Sequence, residues 1–93
     1  MTLAGRTGTT RPIHVLKTWP AYFKEVLIGR KTFEVRRDDR EFQVGDTLRL
    51  VEWSQQTGHT GRALDRRVTY VLPGGEFGIE EGYVVMGIGL CDA

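Results

Sequence analysis

The sequence predicts a mainly β domain of the α+β kind: a small β-barrel of five or six strands with one main α-helix after the first strand. Three observations carry that expectation. Apolar and polar residues alternate with a period of two through most of the chain, as in half-buried strands. One stretch alone, residues 18–29, switches to the helical period. The chain has 93 residues, enough for one core and not for two. A short chain that is nearly all strand is relieved of exposed sheet edges by closing on itself, with the helix plugging one end.

Residues 1–11 contain no apolar signal core and read as a flexible leader before a single domain over 12–93. "RPIHVLK" (11–17) alternates around β-branched residues and reads as the first strand. In "TWPAYFKEVLIG" (18–29), Trp19, Tyr22, Phe23, Val26 and Leu27 recur at helical spacing, so a helix is expected over 19–28. Thr18 is placed to cap its start, Pro20 is tolerated in its first turn and Gly29 can close its end.

After Gly29 the chain reads as β almost to its end. "KTFEVRR" (31–37) sets Phe33 and Val35 on one face and Thr32, Glu34 and Arg36 on the other. "DDREFQVGD" (38–46) reads as a loop. "TLRLVEW" (47–53) points Leu48 and Leu50 one way and Arg49, Val51 and Trp53 the other. "SQQTGHTGR" (54–62) reads as a polar connection, "ALDRRVTYVL" (63–72) as a strand turning at "PGG" (73–75), and "EFGIEEG" (76–82) as irregular. "YVVMGIGL" (83–90) is the last strand, where Gly87 and Gly89 mark close backbone approach or bending.

Charge and composition exclude several function classes. The net charge is +1, divided unevenly: residues 1–50 hold ten Lys/Arg against six Asp/Glu, and residues 51–93 hold three against six. Total charge therefore does not announce a nucleic-acid binder, while a local basic surface in the first half remains open. The single cysteine, Cys91, forms no internal disulfide, and a cytoplasmic location is expected. It has no neighbouring base in sequence and is expected to be incidental, not a nucleophile. The apolar run at 83–91 is too short to span a bilayer, so no membrane partner is expected. No phosphate-binding or dinucleotide-binding glycine motif occurs, and two histidines with one cysteine give no zinc spacing, so no cofactor and no metal are expected.

The candidate binding residues cluster near the helix. His14 and Lys17 are either a strand residue beside a solvated lysine or a pair lining a pocket at the helix start. Trp19 and Tyr22 lie on the apolar stripe and are expected in or at the edge of the core, with base stacking as the alternative. Trp53 shares a strand face with Arg49 and is open to either role, and His59 is expected to be an exposed loop residue. Within "GRKTFEVRRDDRE" (29–41), Lys31, Glu34, Arg36, Arg37 and Arg40 form either a solvated face of surface ion pairs or a grip on an anion.

"HVLKTWPAYF" (14–23), "GRKTFEVR" (29–36) and "DREFQVGDTLRL" (39–50) together resemble the ASCH superfamily, whose fold is PUA-like, and more closely its small bacterial and phage branch DUF3850. "TGHTGR", "VTYVL" and "FGIEEGYVVMGI" continue the resemblance, which covers residues 12–90. It implies a barrel with the helix beside it and a cleft where the helix meets the G-x-K-x-x-E-x-R strand. It also implies RNA binding. One enzymatic ASCH branch hydrolyses the amide of N4-acetylcytidine, using a lysine that matches Lys31, a threonine three residues later and a glutamate in an inserted segment. Here Glu34 stands at the threonine position and the insertion is missing, which argues against that activity.

Three functions are weighed on this basis. In the favoured one, an RNA- or nucleotide-binding module, Lys31 and Arg36 contact phosphate, Glu34 orients Arg36 or accepts a base amine, and Lys17, Arg37 and Arg40 extend the rim. In the second, a small amidohydrolase acting on an acylated nucleoside, the catalytic candidates are Lys31, Glu34 and Thr32. The third is a protein-interaction barrel without a ligand. A monomer is expected.

Overall fold

Five strands and one helix follow one another in a computed structural model that describes residues 11–91: β1 (Ile13–Thr18), α1 (Pro20–Leu27), β2 (Phe33–Arg37), β3 (Thr47–Ser54), β4 (Gly58–Pro73) and β5 (Tyr83–Gly89). The leader expected at 1–11 falls, up to residue 10, outside the described residues. The strands form one sheet in the order β1-β3-β4-β5-β2, with β1 parallel to β3 and the other pairs antiparallel. The sheet curls into a half-barrel, and the helix follows the first strand as expected. β1 and β2 are its edges, and side chains reach between them: Arg36 of β2 donates through Nη2 to the Lys17 carbonyl at 3.1 Å, and Arg40, in the loop after β2, through Nη1 to the Val15 carbonyl at 2.7 Å.

The interior is filled by Leu16, Phe42, Leu48, Leu50, Val68, Val84, Met86 and Ile88 from the sheet and its loop, and by Phe23 and Val26 from α1. Alternation in β3 and β5 puts every second residue inside, as their patterns predict. Gly87 and Gly89 accommodate a close approach. A bulge in β4 leaves Thr69 unpaired, and a Cβ on Gly87 would stand 2.8 Å from Thr69 Oγ1. Among the described residues no helix is long and apolar enough to cross a membrane.

Four local expectations need correction. Thr18 does not cap the helix; it ends β1, and Trp19 occupies the cap position without a side-chain hydrogen bond. Trp19 and Tyr22 are not core residues, because this short helix buries only Phe23 and Val26. The polar connection at 54–62 shrinks to a turn at 55–57, since β3 runs to Ser54 and β4 begins at Gly58, pairing Gly58 and His59 with Ser54 and Trp53. The loop 38–46 is not merely external: Phe42 and Asp46 are buried.

Candidate functional site

The site begins where the helix stops. Gly29 adopts a left-handed φ of 85°, open to a residue without Cβ, and the amides of Arg30 and Lys31 both donate to the Glu25 carbonyl. That turn delivers Lys31 to the head of β2, beside the first turn of α1. On the outside of the same turn Arg30 forks onto Glu25 at 2.7 and 2.9 Å, and this hydrogen bonding holds the exposed Glu25 carboxyl below its ordinary value.

β2 turns its polar side inward. Phe33 and Val35, the apolar face, are 47% and 51% exposed, while Glu34 is 3% exposed. A buried carboxylate is costly unless it is paired and hydrogen-bonded, and Glu34 is both. Lys31 Nζ lies 2.6 Å from its Oε2 and Arg36 Nε 3.0 Å from its Oε1. Lys31 also donates to the Phe33 carbonyl at 2.7 Å. Arg36 Nη2 is shared between the Lys17 carbonyl and Thr18 Oγ1, at 3.1 and 3.3 Å. The guanidinium is thereby fixed on two sides, and among the described residues its Nη1 has no hydrogen-bond partner.

Around this triad opens a cleft of about 530 Å³. Lys17, Lys31 and Arg36 supply cations, Glu34 and Thr18 form polar floor, and Trp19, Tyr22, Phe33 and Val35 make the walls. Among the described residues, three cations against one carboxylate leave the lining a formal +2. The walls are unusually wet for their chemistry, with Trp19 60% and Tyr22 50% exposed. Their rings stack at 6.0 Å with planes 19° apart, and Lys31 Nζ sits 4.9 Å from the Phe33 ring centre. Such a cleft can take a flat ring against the aromatic wall and an anion at the cations.

The other sequence-predicted residues lie elsewhere. His14 Nε2 is 2.8 Å from Oδ2 of the fully buried Asp46, and its ring meets Phe42 edge-on, so it serves the interior and not the cleft. Asp46 also accepts from Arg11 and from the Gln43 amide. Arg37 lies over the Tyr83 ring and donates to its hydroxyl. Arg40 reaches β1 on the far side of Arg36 and is 3.7 Å from Asp39. Trp53 stands outside the cleft but close to it, with Lys17 Nζ 4.6 Å above its ring. Thr32 is exposed and does not line the cleft; its carbonyl accepts from the Ile88 amide in β5.

Sequence reasoning missed Thr18, Phe33 and Val35 as lining residues, and it weighed Tyr22 beside the cleft only as the alternative to a place in or at the edge of the core. The available signal was the β2 pattern itself: a lysine, a glutamate and an arginine at spacings three and two can satisfy one another, and that allows the charged side of the strand to face inward. Among the described residues no group of three or more His, Cys, Asp or Glu is arranged to hold a metal ion.

Comparison with known proteins bears on the whole domain. The chain is similar to an uncharacterised 12.9 kDa protein in the GpA 3′ region of Escherichia phage P2, 46% identical over 59 residues. The alignment covers 63% of this chain and 53% of that protein, so the chain spans about half the length of the curated relative it matches. The family model described as "Domain of unknown function (DUF3850)" matches residues 13–88, a span that contains every strand up to Ile88 in β5, the helix and all the cleft residues from Lys17 to Arg36. The chain therefore belongs to the DUF3850 family.

Proposed function

We propose that the cleft binds a nucleotide unit, free or as part of RNA, in a domain of the ASCH/PUA-like kind. One observation carries this reading: half-exposed aromatic rings stand directly beside cations whose geometry is set by a buried carboxylate. Exposed large aromatics around a concave site are the usual mark of a ligand surface. A base stacks on the Trp19–Tyr22 wall, and its phosphate meets Lys31 and the free edge of Arg36. Glu34 acts through Arg36 as an orienting group, since both of its oxygens are already occupied. The unpaired Cys91 fits a reducing compartment such as the cytoplasm.

Amide hydrolysis fits less well. Thr32, the local hydroxyl expected as nucleophile, is not in the cleft, and the Thr18 hydroxyl donates to the Leu16 carbonyl and accepts from Arg36, with no carboxylate or imidazole hydrogen-bonded to it among the described residues. The test of binding is a titration with ribonucleoside 5′-monophosphates and with short single-stranded RNA at low and moderate salt, followed by tryptophan fluorescence and calorimetry. Binding that weakens with salt, and that Lys31→Ala reduces without unfolding the domain, is the expected result. No binding of either ligand at low salt removes the proposal.

A further inference from the structure

A second depression of about 430 Å³ adjoins the first. Lys17 and Arg36 line both, so the two basins share one cationic wall. Beyond that wall the second basin is lined by Val15, Leu16, Val51, Arg40 and His59, and among the described residues none of its lining is acidic. The basins differ in chemistry. The first carries three aromatic rings and a carboxylate, whereas the second has small β-branched side chains and a set of nitrogen donors.

Resting on the reading of the first basin given above, we propose that the ligand is a single-stranded polynucleotide that continues from one basin into the other. One nucleotide stacks in the aromatic cleft, the linking phosphate crosses at Lys17 and Arg36, and the next phosphate reaches Arg40. The reasoning is charge complementarity along a line. A free mononucleotide needs cations at one end of its site, yet here cations lie between the two basins, at Lys17 and Arg36, and again within the second one, at Arg40. Sequence-tolerant single-strand sites are built in this way, from a positive track beside stacking surfaces. The Lys17 ammonium, resting over Trp53, is the hinge of that track. The Arg36 half of the shared wall is held in place by its bonds to the Lys17 carbonyl, Thr18 and Glu34.

The experiment compares a ribonucleoside 5′-monophosphate with a tetranucleotide of the same base, as RNA and as DNA, across a salt series. The tetranucleotide is expected to bind about tenfold tighter at low salt, with a salt slope steeper by about 0.7 for each added phosphate contact. Arg40→Ala is expected to erase most of that length-dependent gain while mononucleotide affinity holds, and Arg40→Lys to retain it. The RNA and DNA arms tell which sugar the strand carries. If mononucleotide and tetranucleotide bind equally, the continuous track is overturned while the nucleotide cleft stands; if neither binds, the cleft reading itself falls. Should Arg40→Ala fail to fold, because it loses the bond to Val15, the wild-type length comparison still decides.

Discussion

Glu34 and Arg36 sit two residues apart on β2 with Oε1 and Nε 3.0 Å apart, and both point to the inside of an edge strand whose apolar residues face out. This inversion is stable because the Glu34 carboxylate is matched on its other oxygen by Lys31. Glu34→Ala leaves two partly desolvated cations facing each other and is expected to cost about 1–3 kcal/mol in urea melts. Lys31→Ala leaves Glu34 its arginine and is expected to cost less, about 1 kcal/mol. Equal, near-silent melts for both would mean that the triad is ordinary solvated surface.

A second carboxylate is buried more deeply. The Asp46 side chain is fully inaccessible, and it accepts from His14, Arg11 and the Gln43 amide, joining β1 to the start of β3. Asp46→Ala strands a buried imidazole and a backbone amide, so a loss of about 3–5 kcal/mol is expected. Arg11→Ala is expected to cost below about 1 kcal/mol, because that guanidinium is half exposed. Denaturant melts of the two variants check the ranking, and an Asp46 variant as stable as the Arg11 variant would contradict it.

How much of this was legible in the residues differs by element. The strand order of hydrophobic residues in β3 and β5 is visible because Leu48, Leu50, Val84, Met86 and Ile88 occupy alternate positions. The single helix is visible from its stripe, with its end at Gly29. What could not be read is which face of β2 is inside, since alternation gives two faces without naming the buried one. Apolar Phe33 and Val35 would ordinarily claim the interior. Their exposure depends on an ion triad, and on a helix whose contacts are three-dimensional. The same limit hides Asp46, whose partners at 11 and 14 are far from it in sequence. It also hides the role of Trp19 and Tyr22, because a stripe five residues wide says nothing of how narrow a face the sheet will cover.

Packing at the β4 bulge gives a third prediction. Thr69 folds over β5, so that a Cβ on Gly87 would meet its Oγ1 at 2.8 Å and one on Gly89 would meet its Cγ2 at 3.3 Å. Gly87→Ala is expected to cost about 1–3 kcal/mol, the usual range for overpacking. Adding Thr69→Ala removes the obstructing atoms, so the double variant is expected to be more stable than the sum of the single effects. Strict additivity in a double-mutant cycle would show that some other contact sets the cost.

The aromatic wall separates function from folding most directly. Trp19 and Tyr22 are more than half and half exposed, belong to a helix anchored by Phe23 and Val26, and stack chiefly on each other. Removing the Trp19 indole therefore takes little buried area from the domain, and Trp19→Ala is expected to stay within about 0.5 kcal/mol of wild type in stability. In a ligand complex the same ring is expected to contribute a base-stacking surface, and its loss to weaken binding by about 1–3 kcal/mol. Trp19→Phe keeps a flat π-face and is expected to recover part of that loss, whereas Trp19→Leu keeps only apolar area and is expected to recover less. Phe23→Ala is the opposite case, buried in the core and expected to cost about 3–5 kcal/mol in stability. Parallel melts and nucleotide titrations of these four variants test the division. A Trp19→Ala protein that melts early, or that binds as well as wild type, would show that the ring belongs to the fold and not to the ligand.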